Sequence, residues 1–204
     1  ISWLALGNEL AGALAVQDAI KPQGPQTIAS LHRQGLKIAI LSGDQSVAVE
    51  NVARELGVDR WHAEHSPEEK SLRIREYKNA GEKVAFVGDG INDAPALAQA
   101  DLGVAMGSGS ETAISSADVV LASSFLPQIP MAIGLARRVM RNIYQNLFWA
   151  FAYNILLIPL AGGWLSPWTN WTLTPMLAAL AMGASSLLVV GNALRLRNYR
   201  GFTY

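Results

Sequence analysis

The sequence predicts an α/β domain built on a parallel sheet, followed by a hairpin of two membrane-spanning helices. Three observations carry that prediction. Short apolar strands alternate with helical segments over residues 1–123, the pattern of a parallel sheet covered by helices. Charge is confined to one part of the chain: of the 204 residues 16 are basic and 16 acidic, and every acid lies within 1–141. Between Arg141 and Arg195 there are then 53 residues without Asp, Glu, Lys, Arg or His. The first 141 residues carry 13 − 16 = −3, and Arg195, Arg197 and Arg200 restore the balance to zero.

The elements follow in order. Ser2–Leu6 and 11–16 read as strands around a Gly7-Asn8 turn. A helix over 25–34 leads to a strand over 37–41 and a helix over Ser46–Leu56. A short strand at 61–63 precedes a helix over Pro67–Asn79. Residues 83–87 form a strand, followed by a helix from 92, a strand over 102–105, a short helix and a last strand at Val119–Leu121. A connecting helix over 124–142 leaves a cytoplasmic domain of 1–123 and enters the membrane part, 143–194, with a tail of 195–204.

Two apolar runs, 143–163 and 172–194, fill the charge gap. At about 1.5 Å per helical residue each covers about 30 Å, enough to cross a bilayer core. The segment between them holds Pro167 and three tryptophans, Trp164, Trp168 and Trp171, suited to the lipid–water interface. Arg137, Arg138 and Arg141 precede the first span and Arg195, Arg197 and Arg200 follow the second, so both outer ends are expected in the cytoplasm. Residues 1–16 lack the basic start and apolar run of a signal peptide. The lipid bilayer is the expected partner. Zero net charge argues against a nucleic-acid footprint, and the absence of cysteine removes disulfides, thiolate ligands and a cysteine nucleophile from this chain.

Polar residues inside the spans point to a packed or transporting interior. The first span holds Tyr153 and Asn154, with Pro159 beyond them. The second holds Met182, Ser185, Ser186 and Asn192, the first three able to share a helix face. Serines alone equally suit helix–helix packing. A thioether favours a soft ion such as Cu(I).

In the charged part, polar loops fall at strand ends. Residues 37–41 run into Ser42-Gly43-Asp44, and residues 83–87 into Gly88-Asp89-Gly90-Ile91-Asn92-Asp93. A hydroxyl, glycines and a following helix suit phosphate. Carboxylates beside phosphate call for a divalent cation, and Mg²⁺ fits, with Asp89 as the first ligand candidate. Lys70 can supply compensating charge. Gly107-Ser-Gly-Ser110 reads as a flexible loop, and His62 and His65 as surface residues. Neither GxGxxG nor GxxxxGK[ST] occurs.

Together these residues resemble the C-terminal portion of P-type ATPases, ion pumps whose phosphorylation domain is haloacid-dehalogenase-like, a Rossmann-like α/β fold. Val87-Gly-Asp-Gly-Ile-Asn-Asp-Ala-Pro-Ala-Leu97 is similar to the family's hinge motif. Ser42-Gly43-Asp44 resembles its TGD motif, with serine for threonine. Pro67-Glu-Glu-Lys70 resembles the segment delivering a phosphate-facing lysine, and Asp18-Ala-Ile-Lys-Pro22 the re-entry from the nucleotide-binding domain. Asn146, Tyr153, Asn154 and Pro159 match the copper-exporting pattern NxxxxxxYNxxxxP, and Met182, Ser185, Ser186 and Asn192 match MxxSSxxxxxN. Zinc, cadmium and lead exporters would instead be expected to carry an aspartate in the second span.

The resemblance implies an ATP-driven Cu(I) exporter in a plasma (inner) membrane. Asp89 and Asp93 would serve Mg²⁺; Ser42, Lys70 and Asn92 the phosphoryl group; Gly43 and Asp44 the loop that positions nucleotide or metal. Tyr153, Asn154, Met182 and Ser185 or Ser186 would bind copper, and a cytoplasmic copper chaperone is a conceivable donor. The DKTGT, TGE and CPC motifs and the nucleotide-binding domain are absent from these 204 residues, so a fragment of a longer pump, inactive alone, is expected. Competing readings are a zinc- or cadmium-type pump, a non-catalytic membrane protein binding a metal or partner, and an anchored phosphatase. The last needs a DxD loop, and Asp18 lacks the second aspartate.

Overall fold

The computed structural model describes residues 2–7, 9–14, 19–107, 109–164 and 174–198. Asp18, the 165–173 segment with Trp168 and Trp171, Ser108 and Arg200 lie outside the described residues. The chain divides into two compact units, 1–129 and 130–204.

The first unit opens with an antiparallel hairpin of β1 (Ser2–Leu6) and β2 (Glu9–Leu14). The second strand starts two residues before the expected 11–16. Leu6 pairs directly with Glu9, so the connection is the tightest a hairpin allows and pairing begins at once. Then α1 (Gly24–Arg33), β3 (Ala39–Leu41), α2 (Ser46–Leu56), β4 (Arg60–His62), α3 (Pro67–Asn79) and β5 (Ala85–Gly88) alternate. A 3-10 turn, Ile91–Asp93, leads into α4 (Ala94–Gln99), β6 (Leu102–Met106), α5 (Glu111–Ser115) and β7 (Val119–Leu121). The helix expected from 92 is thus a tight turn that passes into a short helix at Ala94.

Pairing is parallel throughout this part, β3 with β4 and, separately, β5 with β6 with β7. One device starts the strands. Asp59, just before β4, accepts the Ile38 N–H at 2.7 Å; Asp101, before β6, accepts that of Val84 at 3.0 Å; Asp118, before β7, accepts that of Gly103 at 2.8 Å. Each of these aspartates returns its own N–H to the carbonyl of the same residue. These clamps take over the first ladder positions, so β3 and β5 begin two residues later than the sequence pattern suggests. The Ile38 N–H, with His32 beside it, holds Asp59 below the ordinary carboxylate range, and the Val84 N–H does the same for Asp101.

The core gathers around β6, which is paired on both edges and buried from Gly103 to Met106. Leu97, Ala96, Ile74, Ala113 and Leu121 pack with it as buried residues. β3 and β5, each paired on one edge, are more open: no residue of β3 is buried, and in β5 only Gly88 is. Between them lies a cleft lined by Ile38, Ala39, Leu41, Val84, Ala85 and Phe86, and no backbone pairing joins the two strands among the described residues. Parallel sheets are normally covered on both faces. Here an open strip separates the β3–β4 pair from the β5–β6–β7 sheet.

The second unit holds most of α6 (Gln128–Ala161) and all of α7 (Pro175–Leu194). The expected connecting helix and first span are one continuous helix of 34 residues. Pro159, which cannot donate a backbone hydrogen bond, sits two residues before its end. Thr174 caps α7 by accepting the Leu177 N–H at 3.4 Å. Both helices are long and apolar enough to cross a membrane.

Candidate functional site

The carboxyl ends of β3 and β5 carry the two polar loops. After β3, Ser42 Oγ donates to Asp44 Oδ2 at 2.7 Å and the Asp44 N–H donates to Ser42 Oγ at 3.2 Å. This small ring fixes the loop with Gly43 at its exposed tip. After β5, the chain passes Asp89 and Gly90 into the 3-10 turn. Asp93 folds back: its Oδ2 accepts the Gly90 N–H at 3.3 Å, and its Oδ1 pairs with Lys70 Nζ at 2.9 Å. Lys70 and Asp93 are only 14% and 15% exposed, so this pair is shielded from solvent far more than the surface pairs. Asp89 and Asn92 are exposed on either side of it.

Continuous contacts connect the two loops. The Ser42 N–H donates to the His62 carbonyl at 2.9 Å, the His65 N–H to the Ser42 carbonyl at 3.0 Å, and the Glu64 N–H to the Asp44 carbonyl at 2.9 Å. Ser66 then starts α3 with a reciprocal cap: the Glu69 N–H donates to Ser66 Oγ at 3.2 Å and the Ser66 N–H to Glu69 Oε2 at 2.7 Å. The Ser66 N–H holds the Glu69 carboxyl below its ordinary range. The cap fixes where the helix begins, and Lys70 follows one residue later, facing Asp93.

Several participants escape the sequence reading. Glu64 is the one non-glycine residue with positive φ among those described, at 57°, and its carboxylate accepts the Ser46 N–H at the start of α2 at 3.3 Å. His62 is half-buried rather than a surface residue. Its Nε2 lies 2.7 Å from the Tyr77 hydroxyl, and burial, then Arg73 and His65, push its pKa down. Gly107 and Gly109 sit at close approaches rather than in open space. A Cβ on Gly107 would overlap the Leu121 carbonyl oxygen, and one on Gly109 would lie 2.9 Å from the Asp89 carbonyl oxygen. The Ser110 N–H donates to that same carbonyl at 3.0 Å. Gly88 is similarly constrained, since a Cβ there would lie 2.7 Å from Asp93 Cβ. Close approach is the only signal these glycines gave, and it needs the partner to be visible.

The donors suit a hard divalent cation. Among the described residues no cluster of three His, Cys, Asp or Glu side chains can hold a metal by itself. Mg²⁺ needs no such cage, because one or two carboxylates with phosphate oxygens and waters complete its shell. Asp89, exposed at the strand mouth, fits that role. Both oxygens of Asp93 are engaged, by Lys70 and Gly90, so it anchors the lysine, and each oxygen keeps acceptor capacity for a cation beside Asp89.

In the second unit Tyr153 and Ser185 are half-buried, whereas Asn154, Met182 and Ser186 are exposed. Asn154 Nδ2 donates to the Ala150 carbonyl at 2.8 Å and Ser186 Oγ to the Met182 carbonyl at 3.2 Å, each within its own helix. No hydrogen bond among the described residues joins Tyr153 or Asn154 to Met182, Ser185 or Ser186.

Residues 2–101 match the haloacid dehalogenase-like hydrolase family. Copper-transporting ATPase 1 of Rhizobium meliloti is 50% identical over 196 residues, 96% of this chain and 24% of that protein. The copper-exporting P-type ATPase of Legionella pneumophila is 47% identical over 197 residues, 97% of this chain and 27% of its own length. A crystal structure of a zinc-transporting PIB-type ATPase in its E2.Pi state aligns with a TM-score of 0.76 at 37% identity, covering 88% of this chain and 28% of that one. The chain spans about a quarter of the length of the curated relatives it matches.

Proposed function

We propose, from the premise that the chain belongs to the P-type ATPases, that it forms the phosphoryl-handling part and two membrane helices of an ATP-driven Cu(I) exporter. The observation that carries this reading is the cleft between β3 and β5, whose flanking strands end in the Ser42 loop and the Asp89–Asp93 loop. A further parallel strand, supplied from outside these 204 residues, fills that cleft and presents an aspartate between the two loops. Its carboxylate oxygen attacks the γ-phosphorus of ATP, the bond to the β-phosphate oxygen breaks, and ADP leaves; water later hydrolyses the aspartyl phosphate.

This chain's part is positioning and charge. Asn92 donates to phosphoryl oxygens, Ser42 does so when its one hydroxyl proton turns from Asp44 to the phosphate, and Lys70 Nζ adds positive charge, held in place by Asp93. Asp89 would hold Mg²⁺, which would supply positive charge against the phosphate oxygens. Gly43 leaves the loop tip open to the phosphate, and Asp44 orients Ser42 and the nucleotide. The arginine-flanked ends lie in the cytoplasm, and the membrane is the plasma (inner) membrane. Tyr153, Asn154, Met182 and Ser185 or Ser186 bind the ion, with thiolates from another part of the pump; a cytoplasmic chaperone delivers it. A zinc-transporting reading draws on the similarity to the zinc transporter structure, but the spans contain no carboxylate.

Asp89→Asn in the full-length protein tests the phosphoryl role. We expect no acid-stable phosphoenzyme from Mg-ATP, and normal levels would overturn the role. Vesicle transport with Cu(I), Ag(I) and Zn(II) tests the ion: movement of zinc alone would replace copper by zinc.

A further inference from the structure

Four amides gather where the middle of α6, just past Arg141, meets the arginine-flanked end of α7. Asn142 is 8% exposed, one of two buried polar residues described. Its Nδ2 donates to the Asn192 carbonyl at 2.8 Å. That carbonyl lies in the last turn of α7 and also accepts the Arg195 N–H. The Asn192 side chain returns the contact, its Nδ2 donating to Asn146 Oδ1 at 2.8 Å and to Gln145 Oε1 at 3.4 Å. Asn146 Nδ2 donates to Asn142 Oδ1 at 3.2 Å, and Arg195 Nη1 donates to Asn192 Oδ1 at 3.4 Å. Among the described residues, the hydrogen bonds that join α6 to α7 converge on Asn192.

We propose that Asn142, Asn146 and Asn192 form a lock that makes α6 and α7 move as one body, so that displacement of α6 reaches the ion-binding residues of α7. Lipid tails are as apolar as leucine, so no hydrophobic force holds two membrane helices together; hydrogen bonds and close packing must do it. Here they are concentrated at one end of α7. Asn192 lies seven residues from Ser185 and ten from Met182, about 10–15 Å along the helix. Asn146 lies seven from Tyr153, at the same depth. A helix pair pinned at this end carries a tilt of α6 to both sets of residues together, whereas an unpinned pair would slide. These are positioning residues, since none is among the ligands proposed for the ion, and the lock rests on the pump reading proposed above.

The test uses the full-length protein, with Asn146→Leu, Asn192→Leu and the double variant, since these two side chains bond each other directly. Melting temperature in detergent reads the lock directly. We expect the double variant to melt no lower than the worse single one; additive losses would overturn the lock. In vesicles, we expect the number of Cu(I) ions moved per ATP to fall at least tenfold in Asn192→Leu while the KM for ATP is unchanged. An unchanged ratio would leave the amides structural and overturn the coupling role. If Asn192→Leu fails to insert, Asn146→Leu, which keeps the Asn142 bond to the Asn192 carbonyl, must show at least a threefold fall in the same ratio. A parent protein that moves neither Cu(I), Ag(I) nor Zn(II) would sink the pump reading, while the melting comparison still decides the lock.

Discussion

Gly88→Ala is the sharpest probe of the proposed phosphoryl site, because it adds one methyl group where Asp93 turns back on the strand. The new Cβ would stand 2.7 Å from Asp93 Cβ and 2.9 Å from its Oδ2. Carbon atoms settle at about 3.5–4.0 Å, so Asp93 must retreat by about 1 Å. The Lys70–Asp93 contact, 2.9 Å before the change, then leaves hydrogen-bonding range, and both groups are mostly shielded from water. Overpacking of this kind costs about 1–3 kcal/mol of stability. The effect on rate is larger, since misplacing a positioned group by about 1 Å costs on the order of 10²-fold. The assay is phosphoenzyme formation from Mg-ATP in the full-length protein, with Gly12→Ala as the control, since a Cβ at Gly12 meets nothing within 4 Å. A rate within twofold of the parent would refute the argument that Asp93 sets the lysine.

Two further predictions concern the loops that hold this site. Glu64→Gly should be more stable than Glu64→Ala by about 1–2 kcal/mol, because both lose the carboxylate that meets Ser46 but only alanine keeps the left-handed penalty; equal melting curves in detergent would refute the strain. His62, held below its ordinary value of about 6.5, stays neutral in the fold while the unfolded chain already takes up the proton. Its contribution is intact above that pH and is lost as pH falls below it, so His62→Gln should flatten the decline in melting temperature between about pH 7 and 5; parallel declines would exclude His62 as the cause.

What could be read from the sequence follows from how local each cause is. The ends of α3 were legible because Ser66, Pro67 and Glu69 write its cap within four residues, and α2 because Gly57 ends it in a left-handed turn at φ 66°. The two polar loops were legible because strand pattern and motif adjoin. The starts of β3 and β5 were not, since each depends on an aspartate 21 or 17 residues away. Glu64 gave no sign, because glutamate, unlike glycine, does not advertise positive φ. Gly107 and Gly109 were not legible, since a glycine needed for close approach looks in sequence like one that merely permits bending.

The same distinction explains the open strip between β3 and β5. A strand paired on both edges, such as β6, buries every residue from Gly103 onward, while β5, with one edge open, leaves Val87 37% exposed. Exposed parallel edges invite pairing. On the proposed reading, the loops that would handle phosphate stand at the ends of the two strands with open edges, so a strand filling the cleft would complete sheet and site together. An aspartate arriving on the missing strand would meet Ser42 on one side and the Lys70–Asp93 pair on the other, both already held by contacts internal to this chain. Substituting those contacts should therefore weaken phosphoryl transfer without preventing the strand from docking, whereas a charge at Ala85, which lines the cleft, should prevent both.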